Sequence, residues 1–360
     1  MTSLLPRKTL RLRLALMACA LLVLSPTTRL SFAAGRTGDA PAPPPPAALR
    51  VGVFARSLPM LAAEAKGFFA RENLSVSFLQ VQSSTQQFTY LRDGRYDIIQ
   101  TAVDNVVNYR LNGSNPVGAR FDAQMFVGMD LGTGLSVVAR PGINSVEDLR
   151  GKVLSVDAPD SGFAYVLYKI LRAHGLERGT DYQIVQTGGV FARYQGLLAG
   201  QFDATLLSSG FELRATNAGY NLLESVTAVA NPYLSSVGAA RQSWMEQNRD
   251  VLVRFIRAGY DATRWCTDPA NREEAIALLM AQPNTSRALA EQLYEEQLDA
   301  DTGLIPDGSL DRLGLLNVLE LRAEFGGFDE RQNLRYLTTP ASGLYDLSYR
   351  RAAVHDEGTH

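Results

Sequence analysis

One stretch occurs twice in the chain and limits what it can fold into. Leu91-Arg92-Asp93-Gly94-Arg95-Tyr96-Asp97-Ile98 is matched in pattern by Leu197-Leu198-Ala199-Gly200-Gln201-Phe202-Asp203-Ala204. Each copy reads as a helix end, a glycine, an aromatic, an aspartate and the start of a buried strand. Glycine suits the left-handed position that closes a helix, and the apolar run after it suits a short strand of a parallel sheet. Each copy follows another apolar strand, Leu49–Phe54 for the first and Lys152–Val156 for the second. Helix–glycine–strand joints are common, so the echo alone does not require a duplication. Two similar α/β lobes are nevertheless the simplest reading.

The order of elements fills in those lobes. In the first, the strand Leu49–Phe54 leads through a loop to Pro59, which suits a first helical position. Asn73 precedes a strand over Leu74–Val81, and Ser83-Ser84-Thr85 starts a helix ending at Arg92. Thr101 to Asn105 begins the next helix, and Ala123–Met129 and Leu135–Arg140 read as strands. The second lobe has strands at Val153–Asp157 and Tyr182–Gln186, with helices opening after Asp160-Ser161-Gly162 and Gly188-Gly189. From Ser243 onward the chain is helical, and Val251, Phe255, Ala258, Ala262 and Trp265 have the spacing of one apolar face.

The N-terminus reads as an export signal over residues 1–33. Basic residues Arg7 to Arg13 precede an apolar core, Leu14 to Leu24, and a small-x-small cleavage pattern at Ser31-Phe32-Ala33. That core is too short to span a bilayer permanently. Lipid attachment at Cys19 is disfavoured, because the apolar run continues past it. A proline-rich linker follows over 34–48. The formal charge is −2, but no acid precedes the cut, so the mature chain carries 30 basic against 37 acidic residues. That balance argues against a nucleic-acid partner. Only Cys266 remains after cleavage, so no internal disulfide can form.

In open α/β sheets, ligands bind beyond the carboxyl ends of the strands. The first lobe brings Arg56, Ser84, Thr85, Asp104, Asn105 and Asp130 to that edge. The second brings Asp157, Asp160, Ser161, Gly162, Phe163, Gly189 and Phe211. Most precede helices, where free N–H groups and the helix dipole face a ligand. Four aspartates crowd this edge and only Arg56 opposes them, so hydroxyl or amine donors on the ligand fit better than an anion. Each residue also has a plainer role: Ser84, Thr85, Asp104 and Ser161 as N-caps, Arg56 as a surface residue, and Phe163 and Phe211 as core.

No catalytic constellation can be assembled. The histidines are His174, His355 and His360, and neither a Cys–His pair nor a metal-ligand spacing is present. There is no dinucleotide or phosphate loop. No cofactor and no metal are expected.

Several segments in order, Leu49-Arg50-Val51-Gly52-Val53, Glu64-Ala65-Lys66-Gly67-Phe68-Phe69, Val146-Glu147-Asp148-Leu149-Arg150-Gly151-Lys152 and the two glycine–aspartate copies, carry a family likeness. Over residues 49–325 the chain resembles periplasmic solute-binding proteins of ABC importers. Within them it is similar to the branch binding nitrate, aliphatic sulfonates, taurine and thiamine pyrimidine precursors. The resemblance implies a type II periplasmic-binding-protein fold, with two α/β lobes around a central cleft and a helical C-terminal part. Lobe 1 would comprise 49–138 and 236–354, lobe 2 would comprise 139–235, and 355–360 would form a tail. Crossovers would fall near Val138–Pro141 and Ala230–Ser236.

The resemblance also implies a monomer in the periplasm that captures a small organic solute by hinge closure. It would hand the solute to an inner-membrane ABC permease and its ATPase. Asp160-Ser161-Gly162 stands where many relatives have a Gly-Ser-Thr-like turn, which speaks against nitrate or a sulfonate. A neutral or amine-bearing molecule, such as a heterocycle stacked on Phe163, is the expectation. The alternatives are an exported ligand sensor and an enzyme resembling the pyrimidine-synthesising proteins of the same fold.

Overall fold

The computed structural model describes residues 44–355. The export signal, Cys19, the linker as far as residue 43, and residues 356–360 with His360 lie outside the described residues.

Among the described residues, ten strands form two five-stranded sheets. They are β1 (Ala47–Val53), β2 (Leu74–Gln80), β3 (Ile98–Ala102), β4 (Ala123–Asp130) and β5 (Ser136–Ala139), then β6 (Val153–Val156), β7 (Gln183–Gln186), β8 (Ala204–Leu207), β9 (Asn221–Ser225) and β10 (Ser236–Arg241). The first sheet runs β2-β1-β3-β10-β4 and the second β7-β6-β8-β5-β9. In both, the first three strands are parallel. In both, the next strand is antiparallel to its two neighbours: β10 in the first sheet, β5 in the second. Each antiparallel strand lies next to a passage between the sheets.

This pairing moves one boundary. Residues as far as 138 are expected in the first lobe, but the strand Ser136–Ala139 pairs with β8 and β9 of the second sheet. The chain therefore leaves the first sheet after Asp130 and crosses within residues 131–135. Its alternation carries no mark of sheet membership, because all four residues are buried.

The repeated stretch has a physical basis. Gly94 and Gly200 both take φ +68°, where a side chain would be strained. Tyr96 and Phe202 are each 3% exposed. Asp97 Oδ2 accepts the Arg50 N–H at 2.8 Å, and Asp203 Oδ2 accepts the Val153 N–H at 2.8 Å. Each aspartate thus satisfies a backbone donor of a parallel strand, in the middle of β1 and at the start of β6. An arginine completes each clamp, Arg50 on Asp97 and Arg140 on Asp203.

One apolar cluster runs continuously from Ile99 and Val106 to Val156 and Tyr165, joined by Leu315 and Leu319 of the helix Arg312–Glu324. A second lies between the first sheet and the helices Leu58–Ala65, Arg249–Thr267 and Arg287–Gln297. The buried face of Arg249–Thr267 is turned from the expected one. Leu252, Val253, Ile256, Ala258, Ala262 and Cys266 are buried, while Val251, Phe255 and Trp265 are only partly covered.

Candidate functional site

The carboxyl ends of the parallel strands in both sheets converge on one cavity, lined from both sides. β3 delivers Gln100, Thr101 and, at the start of the helix Val103–Leu111, Asn105. The Asn105 amide donates to Thr101 Oγ1 at 3.1 Å, which fixes its rotamer. β6 delivers Asp157, and the turn after it begins the helix Gly162–Ala173. The Ser161 hydroxyl donates to Asp157 Oδ1 at 2.5 Å and accepts the Ala164 N–H at 3.2 Å. Ser161 is therefore an N-cap and also lines the cavity; the two roles coexist.

Six of the thirteen expected residues meet here: Asn105, Asp157, Ser161, Gly162, Phe163 and Gly189. Phe163 is half-buried, with part of its ring packed on the core. Gly189 N–H donates to the Gln82 carbonyl at 3.0 Å, so loops of the two sheets touch across the cleft. A Cβ on Gly189 would stand 3.1 Å from both Gln82 O and the Phe54 ring, which leaves little room for any side chain.

The remaining seven are distributed around it. Arg56 and Asp130 line an adjoining cavity that shares Gln100, Ser208, Ser209 and Ser236 with the first. Arg56 is held by Glu64 and lies 5.2 Å over the Phe78 ring. Asp130 Oδ1 accepts the Gly132 N–H at 3.0 Å, yet burial pushes its carboxyl above the usual range. Ser84, Thr85 and Asp160 line a more polar cavity that shares Asn105 and Ser161. Neither Ser84 nor Thr85 is the cap of its helix; Ser83 is, accepting the Gln86 N–H. Phe211 lines the outer opening beside Phe191.

Asp104 is misplaced by the sequence reading. It is 1% exposed and paired with Arg322 of the helix Arg312–Glu324, Nη1 to Oδ2 2.7 Å. Burial drives its carboxyl upward, opposed by Arg322 and by the Gly162 N–H that faces it. A Cβ on Gly162 would come within 2.3 Å of the Asp104 Cβ, so only glycine fits there. Asp104 therefore serves the joint between the halves of the molecule.

Arg193 was missed. It sits on the helix Val190–Leu198, is 2% exposed and lines the cavity. Nη1 donates to the Gly188 carbonyl at 2.6 Å, while Nε and Nη2 donate to the Leu206 carbonyl at 3.3 and 3.2 Å. Burial lowers its pKa and the charge of Asp157 opposes this. Nothing local in the sequence marks it, since a helical arginine is normally exposed. Its presence changes the charge balance. Asp104 is matched by Arg322, Asp160 faces the neighbouring cavity, and the central cavity holds one aspartate and one guanidinium.

Two sheets of this topology, meeting at the carboxyl ends of their parallel strands over a shared cleft, define a periplasmic-binding-protein fold. The NMT1-like family model matches residues 42–280, more than half of the chain, so the protein belongs to that family. The fold is also that of the nitrate-binding protein NrtA from Synechocystis PCC 6803, with TM-score 0.72, 13% identity, and coverage of 86% of this chain and 89% of that one. The aliphatic sulphonate binding protein SsuA from Escherichia coli gives TM-score 0.59 at 20% identity, covering 81% and 91%. The alkanesulfonate-binding protein SsuA from Xanthomonas axonopodis pv. citri, bound to MOPS, gives 0.64 at 17%, covering 82% and 99%. No curated protein matches the chain. The resemblance read from the sequence holds for family and fold.

Proposed function

We propose that the protein is an extracytoplasmic solute-binding component that closes around a small organic molecule and delivers it to an ABC-type permease. The observation carrying this reading is the convergence of loops from both sheets on one cavity that Gln100, Asn105, Asp157 and Arg193 all line. The lobes are the parts built on the two sheets, and residues 131–135 and 226–235 are the passages about which they hinge. The ligand presents donors to Asp157 and acceptors to Arg193 while one face rests on Phe163. A net-neutral or zwitterionic heterocycle meets those demands, and a bare sulfonate leaves Asp157 unmatched. The chain acts by binding and release rather than by chemistry. Cys266 is buried in the helix Arg249–Thr267, and its thiol is pushed up to about 12, so it supplies no nucleophile at neutral pH.

The test is mass spectrometry of small molecules that co-purify with the mature protein, followed by thermal-shift titration with neutral heterocycles, amines, nitrate and alkanesulfonates. Stabilisation by a heterocycle or amine supports the reading. Stabilisation by sulfonates or nitrate alone would overturn the ligand class, and turnover of the bound molecule would overturn the binding role.

A further inference from the structure

The two halves of the molecule also meet along a seam beside the cleft. The helix Phe211–Asn217 follows β8 of the second sheet and packs on the helix Arg287–Gln297, which belongs to the apolar cluster of the first. Hydrogen bonds tie the seam. Arg214 donates to the Pro283 and Asn284 carbonyls at 3.2 and 3.1 Å and to Thr285 Oγ1 at 2.8 Å. The Asn217 amide donates to Gln292 Oε1 at 2.9 Å. A Cβ on Gly210 would stand 2.3 Å from the Leu293 side chain, so the start of one helix lies directly on the other.

One contact in this seam is of a different kind. Glu212 is fully buried, and the Glu296 carboxyl stands against its own. The N–H groups of Glu212 and Leu213 favour the charged form, but neither completes a hydrogen bond to a Glu212 oxygen. On its other side the Glu212 carboxyl carbon lies 2.6 Å from where a Cβ on Gly134 would be, so the group is wedged against the passage 131–135.

Among the described residues no cation pairs with either carboxyl. Arg214 is engaged by the loop before Ser286, and Arg193 of the helix Val190–Leu198 by the Gly188 and Leu206 carbonyls. Glu224 of β9 is taken by His174, and neither the passage nor β5 carries an ionisable side chain. On the helix Arg287–Gln297, Arg287 pairs with Glu291 and Glu273, and Glu295 pairs with Arg272. Arg56 and Asp130 line the cavity that Glu296 also lines, and Arg56 is held by Glu64. Asp299, just beyond the helix, adds a further negative charge against Glu296. Two carboxyl groups face each other in an interior only with a proton between them, because two charged ones would repel and each would lack water. Burial accordingly pushes Glu212 well above its usual value and brings Glu296 to about 7.

On the hinge-closing reading above, we propose that Glu212 and Glu296 form a proton-locked latch, in which a shared proton keeps the two helices together and its loss favours lobe opening and solute release. The open form, with both carboxyls in water, gives up its protons above about pH 4.5, and the closed form retains them. Closure therefore takes up protons at neutral pH. Solute affinity falls as pH rises, by up to about tenfold per pH unit for each proton taken up. The latch is joined to the cleft by the turn Ser208–Gly210, whose two serines line the cavity and which leads into the helix.

The test is calorimetric titration of the mature protein with the co-purified molecule, from about pH 6 to pH 8, in paired buffers of different ionisation enthalpy. The paired buffers read the protons taken up on binding. The native protein takes up about one proton at neutral pH and loses affinity relative to Glu212→Gln by about tenfold or more across the range. The amide stands in for a protonated carboxyl, so the variant stays closed. Glu296→Gln behaves in the same way and serves if Glu212→Gln fails to fold. Equal proton uptake by native protein and variants, or an affinity ratio that does not change with pH, would overturn the latch. Hydrogen exchange separates this from the binding role. In the solute-free native protein the amides of residues 211–217 lose protection as pH rises, beyond the intrinsic change in exchange rate, and Glu212→Gln keeps it. Absence of that difference overturns the latch even where solute binds, whereas its presence in a protein that binds no solute retains the latch and sinks the binding role.

Discussion

Asp104 and Arg322 form an ion pair whose side chains are 1% and 2% exposed, with 2.7 Å between Oδ2 and Nη1. One partner follows β3 and the other belongs to a C-terminal helix, and the Gly162 turn of the second sheet packs directly on the pair. Removing one member leaves a charge in the interior, a change that typically costs about 3–5 kcal/mol. Asp104→Asn should therefore lower the urea midpoint by a corresponding amount. A double variant, Asp104→Asn with Arg322→Met, should recover part of the loss because no isolated charge remains. Equal stability of Asp104→Asn and the native protein would show that the pair does not carry the joint.

The repeated aspartates offer a second measurement. Asp97→Ala and Asp203→Ala each strip a backbone N–H of its acceptor, at Arg50 and Val153. Each should destabilise by about 1–3 kcal/mol. Because they act in different sheets, their effects should add within about 0.5 kcal/mol in the double variant. Strong non-additivity in chemical denaturation would mean the clamps are not separate.

These clamps also show what was legible from sequence. The glycine, aromatic and aspartate could be read because each answers a local demand: a left-handed backbone, a core ring, an unpaired N–H. The buried face of Arg249–Thr267 could not, since both Val251/Phe255 and Leu252/Ile256 are apolar at helical spacing and tertiary contacts choose between them. Asp104 looked like a ligand group for a similar reason. Its partner lies 218 positions away in sequence, and nothing near Arg322 points to it. Asn105, Asp157, Ser161, Gly162, Phe163 and Gly189 were readable because strand-end rules name positions without knowing partners.

His174 bridges two carboxylates, with Nδ1 2.7 Å from Glu147 Oε1 and Nε2 2.6 Å from Glu224 Oε2. Both raise its pKa, Glu147 more strongly, while partial burial works against them. A raised histidine contributes stability that is complete below its unfolded value, about 6.5, and is lost as pH rises through the folded value. The native protein should melt above His174→Gln at pH 5.5, and the gap should close above neutrality. A gap that widened with pH would contradict the bridge.

Glu212 and Glu296 behave in the opposite sense to ordinary carboxylates. Burial and the neighbouring Glu296 push Glu212 well above its usual value, and burial brings Glu296 to about 7. The Glu212 carboxyl packs where a Cβ on Gly134 would stand 2.6 Å away, so it has little freedom to retreat. The folded chain holds protons that the unfolded chain has released above about pH 4.5. Stability should fall between roughly pH 4.5 and 7, by up to about 1.4 kcal/mol per pH unit for each proton retained. Glu212→Gln removes the need for one proton. Its stability relative to the native protein should rise steadily from pH 5 to pH 8, and a flat difference would rule out the shared burial.

Arg193 supplies the sharpest test of the cleft. Three of its five N–H donors are committed to the Gly188 and Leu206 carbonyls, which anchors the guanidinium of a residue that lines the cavity. Lysine keeps the charge but lacks the fork, so Arg193→Lys should weaken solute binding by about tenfold or more while leaving the charge in place. Arg193→Met removes charge and fork together and should weaken it further. Asn105→Ala, whose amide is set by Thr101, should weaken binding with a smaller effect on stability than either. The readout is calorimetric titration with the co-purified molecule, beside a melting curve for each variant. If Arg193→Lys binds as the native protein does, the guanidinium is a brace for two loops, and solute recognition falls to Asp157, Asn105 and Phe163.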